Sequence, residues 1–137
     1  MGLLTALILF SVISAIAGGV VSVTVSVEKK VYYKGETVII TGCVYEDSNP
    51  VSGATVGVEV KDPGGNPVFA ASGTTGASGC AVFSFTLNPD AKPGIYKVYA
   101  STDYGGGATV EEPEIFVVSP TPVGGVAKEP DKLSLVL

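Results

Sequence analysis

The 137-residue chain has no histidine and no tryptophan, and its eight basic residues are all lysine, so arginine is missing as well. Without histidine, the commonest general base and neutral metal ligand is gone. Any catalysis would have to run on carboxylates, Ser, Lys, Tyr or Cys. Scattered lysines and a net charge of −5 leave no basic face to meet a phosphate backbone, which excludes nucleic acid as a partner. A sugar-binding module needs exposed aromatic rings on one face, and the lack of tryptophan counts against it. Only 15% of residues are charged while 46% are hydrophobic, which excludes a highly charged disordered chain. Two cysteines, with no histidine and no C-x-x-C spacing, are too few for a metal site. No histidine stands ready to activate either of them as a nucleophile.

What remains is 18 glycines and 9 prolines set between short β-branched runs. Helix-favouring runs of Ala, Leu, Glu and Lys are missing after the first few residues. Many turns between short strands describe an all-β sandwich or barrel.

Residues 1–17, MGLLTALILFSVISAIA, have the shape of a secretory signal peptide: an apolar run from Leu3 to Ile16 and a small-x-small site at Ala15-Ile16-Ala17. An uncleaved hydrophobic anchor helix is the alternative, since uncharged residues continue to Val27 and about 20 apolar residues span a bilayer. From Val20 onward the spacing changes to a period of two, which belongs to a strand.

The body of the chain, residues 18–118, reads as about seven strands of an Ig-like, two-sheet antiparallel sandwich. Val21, Val23, Val25 and Val27 share one face, with Ser22, Thr24 and Ser26 on the other. A turn at Lys34-Gly35 leads to a strand from Glu36 to Glu46, with Val38, Ile40, Gly42 and Val44 inward. Further strands run from Ala54 to Lys61, Val68 to Ala71, Cys80 to Leu87 and Ile95 to Thr102, and a last one ends at Val118. Their inward residues include Val56, Val58, Val60, Phe83, Phe85, Tyr96 and Val98. This inward set is large enough to stabilise a domain with no cofactor.

The same parity puts Cys43 and Cys80 on the outer faces of their strands. In an Ig-like sandwich those strands are neighbours in one sheet, so the pair can close a disulfide around some 37 residues. An even cysteine count in an exported chain favours the bond over two separate thiols.

Three stretches resemble one family. VYYKGETVIITGCV is similar to the opening of a macroglobulin-type β-sandwich, the second such domain of α2-macroglobulin-like proteins, with Gly35 and Gly42 at its glycine positions. PVSGATVGVEVKDPGGNPVF resembles the middle of that domain, and GCAVFSFTLNPDAKPGIYKVYA its end. The resemblance covers residues 27–118. It implies a stand-alone Ig-like module of bacterial and archaeal surface proteins. It does not extend to the thioester of that family, because neither cysteine is followed by Gly-Glu-Gln. In the closing stretch Gly94 permits a tight turn into the strand. Tyr96 then buries its ring and returns its hydroxyl to the backbone, as in a tyrosine corner.

Candidate sites are few. Glu111, Glu112 and Glu114, with Asp103, form either a weak calcium site or a solvated, edge-protecting face. Tyr104 on the glycine-rich DYGGG loop offers a contact, or simply tops a hairpin connection. Outward Ile39, Tyr45 and Tyr99 offer an apolar patch for another domain. Residues 119–137 turn Pro- and Gly-rich, a stalk that resembles the approach to a C-terminal membrane anchor.

The expected function is a non-catalytic structural or adhesive module, secreted or on the cell surface. Its partners are other surface domains or copies of itself, with a membrane tether at either end. The alternatives are a filament subunit that assembles through its N-terminal strand, or a fragment of a macroglobulin-like protease inhibitor.

Overall fold

The computed structural model describes residues 19–120. The expected signal or anchor helix at 1–17 and the stalk from residue 121 onward lie outside them. Among the described residues no helix is long and apolar enough to cross a membrane.

The fold is a sandwich of two β-sheets. The strands are β1 (Val21–Val27), β2 (Val31–Tyr33), β3 (Thr37–Glu46), β4 (Asn49–Pro50), β5 (Thr55–Lys61), β6 (Pro67–Thr74), β7 (Cys80–Thr86), β8 (Gly94–Thr102), β9 (Ala108–Thr109) and β10 (Glu114–Ser119). A single 3-10 turn, Tyr104–Gly106, separates β8 from β9. In the four-stranded sheet β3 is central, with β1 on one side and β7 and the short β4 on the other. The six-stranded sheet runs β2-β10-β8-β5-β6, and β9 extends it beside the end of β8.

Seven of these strands have six or more residues and match the seven expected. The expected all-antiparallel pairing needs one correction. Val31–Tyr33, read as part of a turn, is a short strand that joins the second sheet and pairs parallel with β10. The chain leaves the first sheet after Val27 and crosses to the other within a few residues, so it arrives running in the same direction as β10. The run starting at Val68 is also longer than expected: β6 extends from Pro67 to Thr74 along the whole of β5.

The core lies between the sheets and is built from the alternation. Val38, Ile40, Val44, Val56, Val60, Val98 and Val118 are fully buried. At one end three rings meet. Phe116 stacks on Tyr96 at 5.1 Å between centroids, and Tyr32 meets Phe116 edge-on at 5.2 Å. Gly42 faces inward, and a Cβ there would stand 3.2 Å from Val56 Cγ2 on the opposite sheet. The missing side chain is what lets the layers approach at that point. Gly35 holds a φ of +86° in the turn before β3, a conformation that favours glycine.

Candidate functional site

Cys43 and Cys80 stand directly opposite each other on β3 and β7, with Cα atoms 4.0 Å apart, and are joined by a disulfide. Val44 N–H and C=O both face the β7 side of β3, so backbone polarity turns those of Cys43 toward β1. The cysteines therefore form a non-hydrogen-bonded pair, the kind that sets side chains closest together. Both point to the outer face of the sheet as the parity predicts. Cys43 is nonetheless buried, because the bridge and its neighbours close over it.

The end of the sandwich around Tyr96 is locked by hydrogen bonds between side chains and backbone. Tyr96 donates its hydroxyl to Lys92 O at 2.7 Å, four residues back, while its ring is buried. Gly94 lies between them with φ +133°, and a Cβ there would be 2.9 Å from Pro63 Cγ. Asp62 organises the facing turn: Oδ1 accepts from Gly64 N–H and Asn66 N–H, each at 2.9 Å. Lys92 Nζ lies 4.0 Å from Asp62 Oδ2. The backbone donor of Asn66 is the largest cause holding the Asp62 carboxyl below its ordinary pKa, with Gly64 and Lys92 adding to it against partial desolvation. Burial, and then the Asp62 charge, push the Tyr96 phenol up. Sequence reading gave Tyr96 and Gly94 but not the Asp62–Lys92 link, because the turn and the loop are 30 residues apart in the chain. It also missed Tyr32, whose ring is wholly buried and whose hydroxyl accepts from Lys29 N–H at 2.9 Å. A three-residue strand is too short to show a period.

Two expected contact features need correction. Ile39 and Tyr45 lie on β3 and Tyr99 on β8, in different sheets that turn their outer faces apart, so they form no common patch. Tyr104 is not offered to solvent on a loop tip. It packs against the core, and its hydroxyl donates to Glu46 Oε1 at 2.9 Å, which raises its pKa. Of the acidic residues, Glu114 pairs with Lys30 and Glu111 and Glu112 are exposed, and among the described residues no group of three or more His, Cys, Asp or Glu could hold a metal ion.

An apolar row emerges instead on the outer face of the six-stranded sheet. Val31, Val117 and Ile95 stand side by side across β2, β10 and β8. Ile115 lies in the next row, beside Lys97. Val31, Ile95 and Ile115 are 48%, 52% and 44% exposed and form one contiguous apolar surface with Val117. The row runs into a shallow groove of about 650 Å³ formed with Lys61, Gly94, Lys97 and Tyr99. Across Tyr99 a second groove of about 650 Å³ has a floor of small residues: Gly57, Ala70, Ser72 and Ser101. Tyr99 is the ridge between them, with Lys61 Nζ 5.4 Å from its ring centroid. These are concave, partly apolar surfaces with Lys61 and Lys97 on the rim.

The N-terminal strand is engaged within its own chain. β1 pairs with β3 along its whole length, from Val21 opposite Glu46 to Val27 opposite Ile40.

Comparison with known proteins is consistent with this geometry. The MG2 domain family matches residues 22–113. Two structures of alpha-2-macroglobulin from Escherichia coli share the fold. The elastase-activated form has a TM-score of 0.59 at 20% identity, over 72% of this chain and 8% of that one. The trypsin-activated form has 0.59 at 21%, over 75% and 7%. The chain thus spans less than a tenth of either relative's length. No curated protein matches it in sequence.

Proposed function

The chain belongs to the MG2 domain family, and from that premise we propose that it is a non-catalytic structural module of the cell exterior that packs against other protein domains through the outer face of its six-stranded sheet. The row Val31, Val117, Ile95 and Ile115 carries this reading. A monomer that ended its interactions at its own surface gains nothing from leaving these side chains in water, whereas a neighbouring domain laid across them buries them. The flanking grooves and Lys61, Lys97 and Tyr99 supply the polar rim such contacts use. The Cys43–Cys80 bridge supports an oxidising compartment, as does the leader expected at residues 1–17. A share in trapping proteases rests on family likeness alone, for a domain that spans so little of those relatives.

Two measurements test the proposal. A photo-crosslinking amino acid at Ile95, in the chain made by its native host, is expected to give a discrete protein adduct that the same group at Ser84, on the opposite sheet, does not give. No adduct at Ile95, or equal adducts at both, refutes the docking face. Exported protein is expected to lack titratable thiol, and a chain retaining Met1 with two free thiols reverses the assignment of compartment.

A further inference from the structure

We propose that the open edge of β1 is a self-association site, pairing antiparallel with β1 of a second copy about a two-fold axis through Thr24. β1 is the outermost strand of the four-stranded sheet, with β3 on one side only. Just outside it, Asp47 N–H donates to Val20 O at 2.9 Å and Glu28 N–H donates to Ile39 O at 3.0 Å. Backbone direction alternates along a strand. Ser22, Thr24 and Ser26 therefore also bond to β3, and Val21, Val23, Val25 and Val27 turn their N–H and C=O groups to the open edge. Among the described residues those groups have no protein partner.

The edge carries none of the usual protection. It has no charge, no proline and no bulge over seven residues, about 23 Å of strand. The other edges differ. β2 has three residues. β6 begins with Pro67 and pairs through a register shift at Val60/Lys61. β7 is uncharged, but its sequence CAVFSFT is not symmetric, so pairing it with itself would set Val82 against Ser84.

The occupant follows from the sequence of β1, VSVTVSV, which reads the same in both directions. Antiparallel pairing centred on Thr24 sets Val21 against Val27 and Val23 against Val25 of the second copy. Every valine meets a valine on the core side, and every hydroxyl meets a hydroxyl on the outer side. The valines are the residues whose backbone groups face the edge, so these are hydrogen-bonded pairs and each exchanges two bonds. No edge group of β1 is left over. Thr24 meets its own copy on the axis as a non-hydrogen-bonded pair with Cα atoms about 4.5 Å apart. The contact is isologous and closes at two copies, giving one continuous sheet rather than a filament. Its small area makes it a weak, reversible dimer.

Sedimentation equilibrium of the full chain, as its host exports it, over a concentration series tests this. A monomer–dimer equilibrium that stops at two is expected, with Kd between about 1 μM and 1 mM. Thr24→Lys and, separately, Thr24→Glu put like charges face to face and are expected to weaken it by about tenfold or more. Thr24 is exposed in the single chain, so the unfolding midpoint should hold in both variants. Mixing the two variants should restore a dimer containing one of each. A parent chain still monomeric at millimolar concentration, polymers beyond the dimer, a dimer indifferent to both charges, or variants that do not recombine would each overturn the proposal.

Discussion

The four-stranded sheet turns Ser22, Thr24, Ser26, Val82, Ser84 and Thr86 to solvent and carries a covalent bridge on its outer face. The six-stranded sheet turns out Val31, Ile95 and Ile115 and has no such bridge. Their inner faces are alike, both aliphatic and set by the same alternation. The difference lies in how each sheet holds together. The wider one is anchored at one end by the Tyr32–Phe116–Tyr96 ring cluster and the Asp62–Lys92–Gly94 lock. The narrower one has three long strands and an unprotected edge, and the disulfide fastens β7 to β3 at the end of their pairing. The contrast lies in contiguity: Val82 stands among hydroxyls on the first sheet, whereas Val31, Val117 and Ile95 adjoin one another on the second.

Several substitutions would break or sharpen this contrast. Phe116→Ala removes the central ring of the cluster and should cost about 3–5 kcal/mol of stability by chemical denaturation. Hydrogen exchange should rise first in β2, β8 and β10, and a uniform rise would mean that the sheets are not held separately. Replacing Cys43 and Cys80 together by alanine opens a loop of sequence separation 37 and should cost about 3–4 kcal/mol in the chain-entropy picture. Here exchange should rise first in β3 and β7, the mirror image of the Phe116 result. Gly94→Ala forces a side chain onto φ +133° and into Pro63, with an expected loss of about 1–3 kcal/mol.

Tyr96→Phe deletes the hydroxyl bond to Lys92 O and should cost about 1 kcal/mol. Its effect depends on pH in a defined direction. The phenol's native pKa is raised above 10.0, so its contribution is complete below that value and is lost as pH rises through the native one. Alkaline melts of the parent should fall in that window, and those of Tyr96→Phe should fall less. Asp62 gives the smallest effect and the opposite sign. Its native pKa is depressed below 3.8, so its contribution is complete above 3.8 and is lost as pH falls through the native value. Acid melts of Asp62→Asn should show a shallower decline than those of the parent.

Much of the framework was legible beforehand. Period-two spacing placed β1, β3, β5, β7, β8 and β10, because each is long enough for one buried face to show in the residue order. Cys43 and Cys80 fell opposite each other because parity and strand adjacency together fix which side chains can meet. Parity failed for Tyr32, where three residues carry no period. It failed again for the contact patch, because it says only that Ile39, Tyr45 and Tyr99 point outward and not from which sheet. The apolar row on the six-stranded sheet was invisible for the same reason. Val31, Ile95 and Val117 are far apart in the chain and become neighbours through strand pairings, one parallel and one antiparallel, that local pattern does not reveal.

By itself the sequence determined which face of each long strand is buried, since apolar and polar side chains at alternate positions allow only one orientation toward water. It also determined the self-matching order of β1. Tertiary structure alone decided which strands lie side by side, and so which outward residues form a surface. That choice depends on the crossing after Val27 and on pairings such as β10 with β2 and β8, which join segments the chain holds far apart.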